Sequence, residues 1–284
     1  MRRLPLRAEL VEQARSYADG TATPATPRNA ATVVLLRDGD AGPEVYLLRR
    51  QASMAFAAGM SVFPGGGVDE RDFDASIAWD GPSPAEWADR LGTDEDRARA
   101  LVCAAVRETF EESGVLLAGP SPDTVVDDTT GEDWEADRRA LEGRDLAFTE
   151  FLNRRGLVLR TDLLGAWSGW LTPEFEPRRY RTWFFTAMLP EGQVTRDVST
   201  ESSEVHWLPL TKAVELAEAG EMFLMPPTYL TCLDAARFGS PESVLAEAAT
   251  RSVEIFMPEV VADGAEFTLS TPPMYVDLLA ERLA

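Results

Sequence analysis

Basic charge is scarce in this chain, and so are cysteine, histidine and long apolar runs. Its 284 residues carry 27 Lys and Arg against 48 Asp and Glu, a formal net charge of −21. Nonspecific binding to nucleic acid or to an anionic membrane needs a basic surface, so neither is expected as a partner. The two cysteines, Cys103 and Cys232, make no disulfide framework and stand in no C-x-x-C or zinc-ligand spacing. Both read as buried core positions and suit a reducing compartment. One histidine, His206, excludes His-rich metal sites and argues against a Ser-His-Asp triad. No G-x-S-x-G or Walker motif occurs. No apolar run of 18 residues is present for a membrane span, and Met1-Arg2-Arg3 is not followed by the apolar core of a secretory signal. The last residues, Glu281 to Ala284, do not spell the peroxisomal address. The expectation is a cytoplasmic protein.

What the chain does have is apolar content, 45% of its residues, enough for one large core or two modest ones. Residues 4–17 read as an amphipathic helix, and 19–28 as a linker rich in Gly, Thr and Pro. Residues 31–37 and 45–50 read as a strand pair around a polar turn. Residues 181–189 and 205–208 read as further strands. Pro82 and Pro84 introduce a helix that Gly92 stops, and Thr93 then reads as the N-cap of a second helix with acids in its first turn. Helical portions are expected near 134–141 and 146–155. Thr211 reads as the cap of another helix, Pro226 opens a helix running to 238, and a short helix closes the chain at 274–283. Strands alternating with long helices predict an α/β/α sandwich decorated by helices.

The chemistry concentrates in Arg107 to Val115, RETFEESGV. On a helix, Glu108, Glu111 and Glu112 stand at i, i+3 and i+4 and share one face. Cys103, Val106 and Phe110 form the opposite, core-facing stripe, which leaves the carboxylates pointing outward. Three crowded glutamates repel one another unless a cation sits between them. A hard divalent ion with oxygen ligands fits, and Mg²⁺ characteristically adds substrate phosphates to its shell. Gly114 ends the helix where a left-handed residue is favoured.

These residues resemble the second half of the Nudix box, G-x5-E-x7-R-E-U-x-E-E-x-G-U, with U a bulky apolar residue. The first half is similar to Phe63-Pro64-Gly65-Gly66-Gly67-Val68-Asp69, with Gly66 as the box glycine and Asp72 where the family has Glu. Thr109 at the first U position is a further departure. Between Asp72 and Arg107 lie 34 residues where the usual box has seven. An insertion of that size, together with FPGG and RETFEESGVLL, resembles the branch that acts on coenzyme A and its acyl esters. Arg50, Gly59 and the FPGG run resemble parts of that branch's flanking motif, but Ala55 stands where a second arginine is expected.

The resemblance implies a Nudix α/β/α sandwich with a mixed sheet, a helical insertion and a C-terminal helical extension. It divides the chain into an N-terminal helix and linker (1–28), a Nudix domain (29–213, with 73–99 inserted in the box) and a mostly helical extension (214–284). It implies Glu108, Glu111 and Glu112 as the site for Mg²⁺ or Mn²⁺, with a backbone carbonyl of Gly65 or Gly66 as a further candidate ligand. The water-activating base is one of these glutamates or an acid from a later loop, for which Glu204 is the candidate. Arg107 is expected to tie the box loop to the helix through Asp72 or Glu70. Arg49 and Arg50 are candidates for a phosphate contact. Arg178, Arg179 and Arg181 form the most basic stretch of an acidic chain and are candidates for a phosphate clamp. The implied substrate is a nucleotide diphosphate. Coenzyme A or acyl-coenzyme A comes first, ADP-ribose or another nucleoside diphosphate sugar second, and a ligand-binding module without catalysis is the third reading. A homodimer is compatible with all three.

Overall fold

The first strand, β1 (Arg28–Arg37), is apolar on both faces, the mark of a strand covered on two sides. The structure, a computed structural model, describes residues 8–53, 57–263 and 266–283. The first described helix is α1 (Ala8–Ala18), so the start of the predicted 4–17 helix lies outside the described residues, as does Ala55. After β1 come β2 (Glu44–Arg50), β3 (Ser61–Val62), β4 (Gly65–Gly67), a 3-10 turn at Glu70–Phe73 and β5 (Trp79–Asp80). Next are α2 (Pro84–Leu91), α3 (Glu95–Ser113), β6 (Ala118–Gly119), α4 (Glu132–Glu142) and α5 (Phe148–Arg155). Then follow β7 (Val158–Arg160), β8 (Leu164–Leu171), β9 (Tyr180–Met188) and β10 (Ser202–Pro209). The chain ends with α6 (Leu210–Ala219), α7 (Pro226–Ala235), α8 (Pro241–Ala248), β11 (Ile255–Phe256), β12 (Val260–Asp263), β13 (Glu266–Leu269) and α9 (Pro273–Leu283).

The main sheet runs β10-β2-β1-β9-β8-β11, with β1 parallel to β9 and antiparallel to β2. β1 and β2 pair only near their hairpin, at Leu36↔Val45 and Arg37↔Glu44, and then diverge. A glycine-rich segment, bent back on itself like a hairpin though its two short strands do not pair with each other, fills the fork: β3 pairs with β2 and β4 pairs with β1. The pleat then sorts side chains between two cores. Ala31, Val33, Leu35, Tyr46 and Leu48 pack with α3, whereas Val34, Leu36, Val45 and Leu47 pack with α6, α7 and α8. Residues beyond 213 are therefore one of the two helical layers, and the expected boundary at 213/214 falls inside α6.

The insertion is helical and anchored at both ends. α2 has a Ser83 capping box and stops at Gly92 in the left-handed region, φ 61°. Trp87 is fully buried against Phe185, and Trp183 Nε1 donates to the Leu91 carbonyl at 2.9 Å. The cap of α3 is Asp94, which accepts from the Arg97 N–H, one residue after the predicted Thr93. Thr93 instead accepts from the Arg97 guanidinium at 3.0 Å. α3 begins at Glu95, so the last residues of the expected 73–99 insertion are the first turn of the box helix itself. The cap expected at Thr211 is also displaced: Pro209 precedes α6 without a side-chain cap, and Thr211 lies inside the helix.

Candidate active site

Arg107 organises the meeting of the glycine hairpin and α3. Its Nε and Nη2 donate to the two oxygens of Asp72 at 3.0 and 2.9 Å, a bidentate pair in which Asp72 is 3% exposed. Nη2 also donates to the Gly67 carbonyl at 3.0 Å, and Nη1 donates to Glu108 at 2.8 Å and Glu111 at 3.1 Å. One guanidinium thus joins the turn before the insertion to the helix after it. Of the two partners open from sequence, Asp72 makes the pair and Glu70 is exposed.

The three glutamates do not point into solvent as the helical pattern suggested. Glu111 and Glu112 are 7% and 9% exposed, because the hairpin lies over them. Glu112 accepts from the Gly65 N–H at 2.8 Å. A Cβ on Gly66 would stand 2.5 Å from the Glu108 carboxyl atoms, so the absence of a side chain there is what admits Glu108. Gly114 caps α3 at φ 76°, as its place after the helix predicts.

This burial disturbs the carboxyl groups. Glu111 is pushed up to about 7, first by burial and then by the charge of Glu108, against the pull of Arg107. Burial and then Glu108 push Glu112 well above the carboxylate range, while the Gly65 N–H acts in the opposite sense. Burial also raises Glu108, against the pull of Arg107. All three lie in the last two turns of α3, the end where the helix dipole disfavours negative charge.

Among the described residues, no three Asp, Glu, His or Cys side chains already meet as a closed metal cage. The glutamates are held instead on Arg107 and the Gly65 amide. The donor chemistry still fits a hard divalent cation. All the donors are carboxylate oxygens, they repel one another, and Mg²⁺ uses only one or two carboxylates before completing its shell with water and phosphate.

Register decides which of the other candidates share this place. Arg50 lies on the same strand face as Leu48, toward α3, and lines a shallow depression with Glu112, Val62, Ser199 and Glu201. Its Nη2 pairs with Glu201 at 3.0 Å, while its buried Nε has no hydrogen-bond partner. Arg49 shares the face of Leu47, the opposite side, and meets Glu204 at 3.5 Å. Glu204 also stands 3.4 Å from His206. Neither Arg49 nor Glu204 is brought to the carboxylates. Glu201, just before β10, is the acid that meets Arg50 and lines the depression with Glu112 instead.

The arginine stretch divides as well. Arg179 is buried and spent on structure, donating to the carbonyls of Thr172 and Ala25 at 3.0 and 3.1 Å. Arg178 is exposed on the loop before β9. Arg181 lies on the α3 face of β9, opposite Asn29, whose carbonyl accepts from the Val68 N–H just after the glycine hairpin. The sequence offered two acids in TESSE, Glu201 and Glu204, and nothing in the run of letters says that the strand starts between them and that Glu204 pairs opposite Arg49.

The chain has clear relatives. The family model described as the NUDT19 Nudix domain matches residues 88–233, a little over half of the chain. That match starts in α2, so the glycine hairpin joins the site by geometry rather than by the matched stretch. The acyl-coenzyme A diphosphatase NUDT19 of Xenopus laevis is 27% identical over 272 residues, covering 82% of this chain and 71% of its own length. The Homo sapiens protein of the same name is 26% identical, covering 83% of this chain and 73% of its own length. A crystal structure of a NUDIX hydrolase from Alicyclobacillus acidocaldarius is similar at a TM-score of 0.69 and 27% identity, covering 81% of this chain and 99% of that one.

Proposed function

Because the chain belongs to the Nudix hydrolases, through its match to the NUDT19 Nudix domain, we propose that it hydrolyses the diphosphate of coenzyme A or acyl-coenzyme A in the presence of Mg²⁺ or Mn²⁺. The products are adenosine 3′,5′-bisphosphate and the corresponding 4′-phosphopantetheine. The observation that carries this reading is the Asp72–Arg107 pair, which closes the box across its long insertion and sets Glu108, Glu111 and Glu112 against Gly65–Gly67. The NUDT19 relatives, named acyl-coenzyme A diphosphatases, support the substrate class.

Glu108, Glu111 and Glu112 would hold the cation, which when bound supplies charge neutralisation to the phosphate oxygens. The backbone carbonyls of Gly65 and Gly66 remain the additional ligands in this reading. Arg50, on the wall of the depression beside Glu112, binds a phosphate oxygen through its guanidinium. Water attacks one phosphorus, the bridging P–O bond breaks, and two phosphate monoesters leave. Glu201 takes the proton from that water, the role that strand register denies to Glu204. Arg181, with Arg178 at the loop, receives the 3′-phosphate.

The test is a comparison of kcat/KM for coenzyme A, its 3′-dephospho form and ADP-ribose with Mg²⁺ or Mn²⁺. Coenzyme A should be preferred over the dephospho form, and Arg181→Ala should narrow that gap. A tenfold preference for ADP-ribose, about 1.4 kcal/mol at the transition state, overturns the coenzyme A reading. Tight nucleotide binding without hydrolysis overturns the enzymatic one.

A further inference from the structure

Arg138, on α4, is only 2% exposed although it carries a full charge and lies outside the carboxylate cluster. Its Nη1 donates to the backbone carbonyl of Glu111 at 2.6 Å and to Glu142 Oε2 at 3.0 Å. Its Nε and Nη2 hold Glu135 at 3.0 and 2.9 Å. The other oxygen of Glu142 accepts from the backbone N–H of Thr200 at 2.8 Å and from its hydroxyl at 2.7 Å. Thr200 immediately precedes Glu201. Glu135 in turn accepts from Arg196 at 3.0 Å, at the start of the same loop. The loop is therefore tied to α4 near both ends, and α4 is tied through one guanidinium to the carbonyl of a site glutamate.

We propose that Arg138 and Glu142 are positioning residues: they form a strut between α3 and the 196–201 loop that fixes Glu201 over the carboxylate cluster. The proposal rests on the reading of Glu201 given above. A plain capping role explains only half of the network. α3 has no basic residue in its last turn, so a donor to its free carbonyls stabilises that helix end. Capping needs neither Glu142 nor its two bonds to Thr200. Those bonds point away from the helix, toward the loop. On the other side, Glu201 is held by β2 through the Gln51 N–H to its carbonyl at 3.0 Å and through the Arg50 pair. Gln51 Nε2 also donates to the Thr200 carbonyl at 2.8 Å, so the strut holds from the α4 side a residue that β2 holds from the other.

The experiment is a double-mutant cycle in the full chain, with Glu142→Ala, Glu142→Gln and Glu201→Gln, reading kcat, KM and Tm. Glu142→Ala should lower kcat by about ten- to a hundredfold, the scale of a reacting group misplaced by up to about 1 Å. KM should stay within about twofold. Glu142→Gln, which keeps an acceptor for Thr200, should recover most of the rate. In the Glu201→Gln background the effect of Glu142→Ala should nearly vanish, since the group being positioned is already gone. Equal fold losses in both backgrounds, or wild-type kcat in Glu142→Ala, overturn the strut. Full activity of Glu201→Gln overturns it together with the assigned base. If the wild-type chain cleaves none of the substrates, the substrate reading fails alone, and amide exchange decides the strut. The Thr200 and Glu201 amides should then exchange faster in Glu142→Ala, and unchanged exchange overturns the proposal.

Discussion

Glu111 and Glu112 sit where an α-helix tolerates negative charge least, buried and in its last turn. A function that needs a cation gives that cost a reason. Glu111→Gln or Glu112→Gln should therefore reduce kcat by more than about a hundredfold. Because Glu112→Gln keeps an acceptor for the Gly65 N–H and removes a crowded carboxyl without changing shape, its metal-free Tm should equal or exceed that of the wild type. Near-full activity in both variants would sink the metal site. The same residues set a pH dependence in metal-free protein. Glu111 stays protonated in the folded state up to about 7, whereas it ionises near 4.5 in the unfolded chain. Between those values the unfolded state binds fewer protons, so stability is fully present below about 4.5 and falls as pH rises through about 7. Denaturant titrations across that window should show the decline, and Glu111→Gln should flatten it. A slope unaffected by the substitution would remove Glu111 as its source.

One buried salt bridge joins the two ends of the box. The 3-10 turn that ends in Phe73 and the helix α3 are separated by the whole insertion, yet Asp72 and Arg107 meet with side chains 1% and 11% exposed. Breaking one partner of such a pair leaves an uncompensated buried charge and costs about 3–5 kcal/mol. Asp72→Ala should show that loss in urea denaturation and should also abolish activity, because the glycine hairpin loses its tie to α3. A stability change below about 1 kcal/mol would mean that packing of α2, not this pair, closes the box. The insertion itself is well made for staying in place: Ser83 caps α2, Gly92 stops it, and Trp87 and Trp183 lock it to the sheet.

At the scale of the whole molecule, the sheet is covered on both faces, and the second cover comes from residues that look like an appendage. Val34, Leu36, Val45, Leu47 and Trp167 pack against Tyr229, Cys232, Leu233 and Val244. Ending the chain at residue 213 would expose this apolar face and cut α6. The 1–213 fragment should therefore lack a cooperative thermal transition and be recovered as aggregate. A soluble fragment with a single sharp transition would show that α7 and α8 are dispensable. The formal net charge of −21 opposes an anionic ligand unless it is offset locally, and Arg50 and Arg107 stand beside the glutamates.

Local chemistry was legible in the letters. The spacing of Glu108, Glu111 and Glu112, the glycine that ends their helix, the proline-led α2 and the partner choice narrowed to Asp72 or Glu70 all follow from interactions within a few residues, or from a motif that names its own members. Membership of the Nudix hydrolases was legible for the same reason. What the sequence did not settle depends on which strand lies beside which and in what register. An α-helix repeats its faces at a fixed period, so its neighbours are implied by counting. A strand inverts its face with every residue, so the pairing of Glu204 with Arg49 turns it away, while Glu201, just before the strand, meets Arg50. The same parity sent Arg50 to the site and Arg49 away from it, and folding spent Arg179 on backbone carbonyls. The burial of the glutamates was hidden too, since it comes from a hairpin some forty residues earlier that only the tertiary structure lays across them.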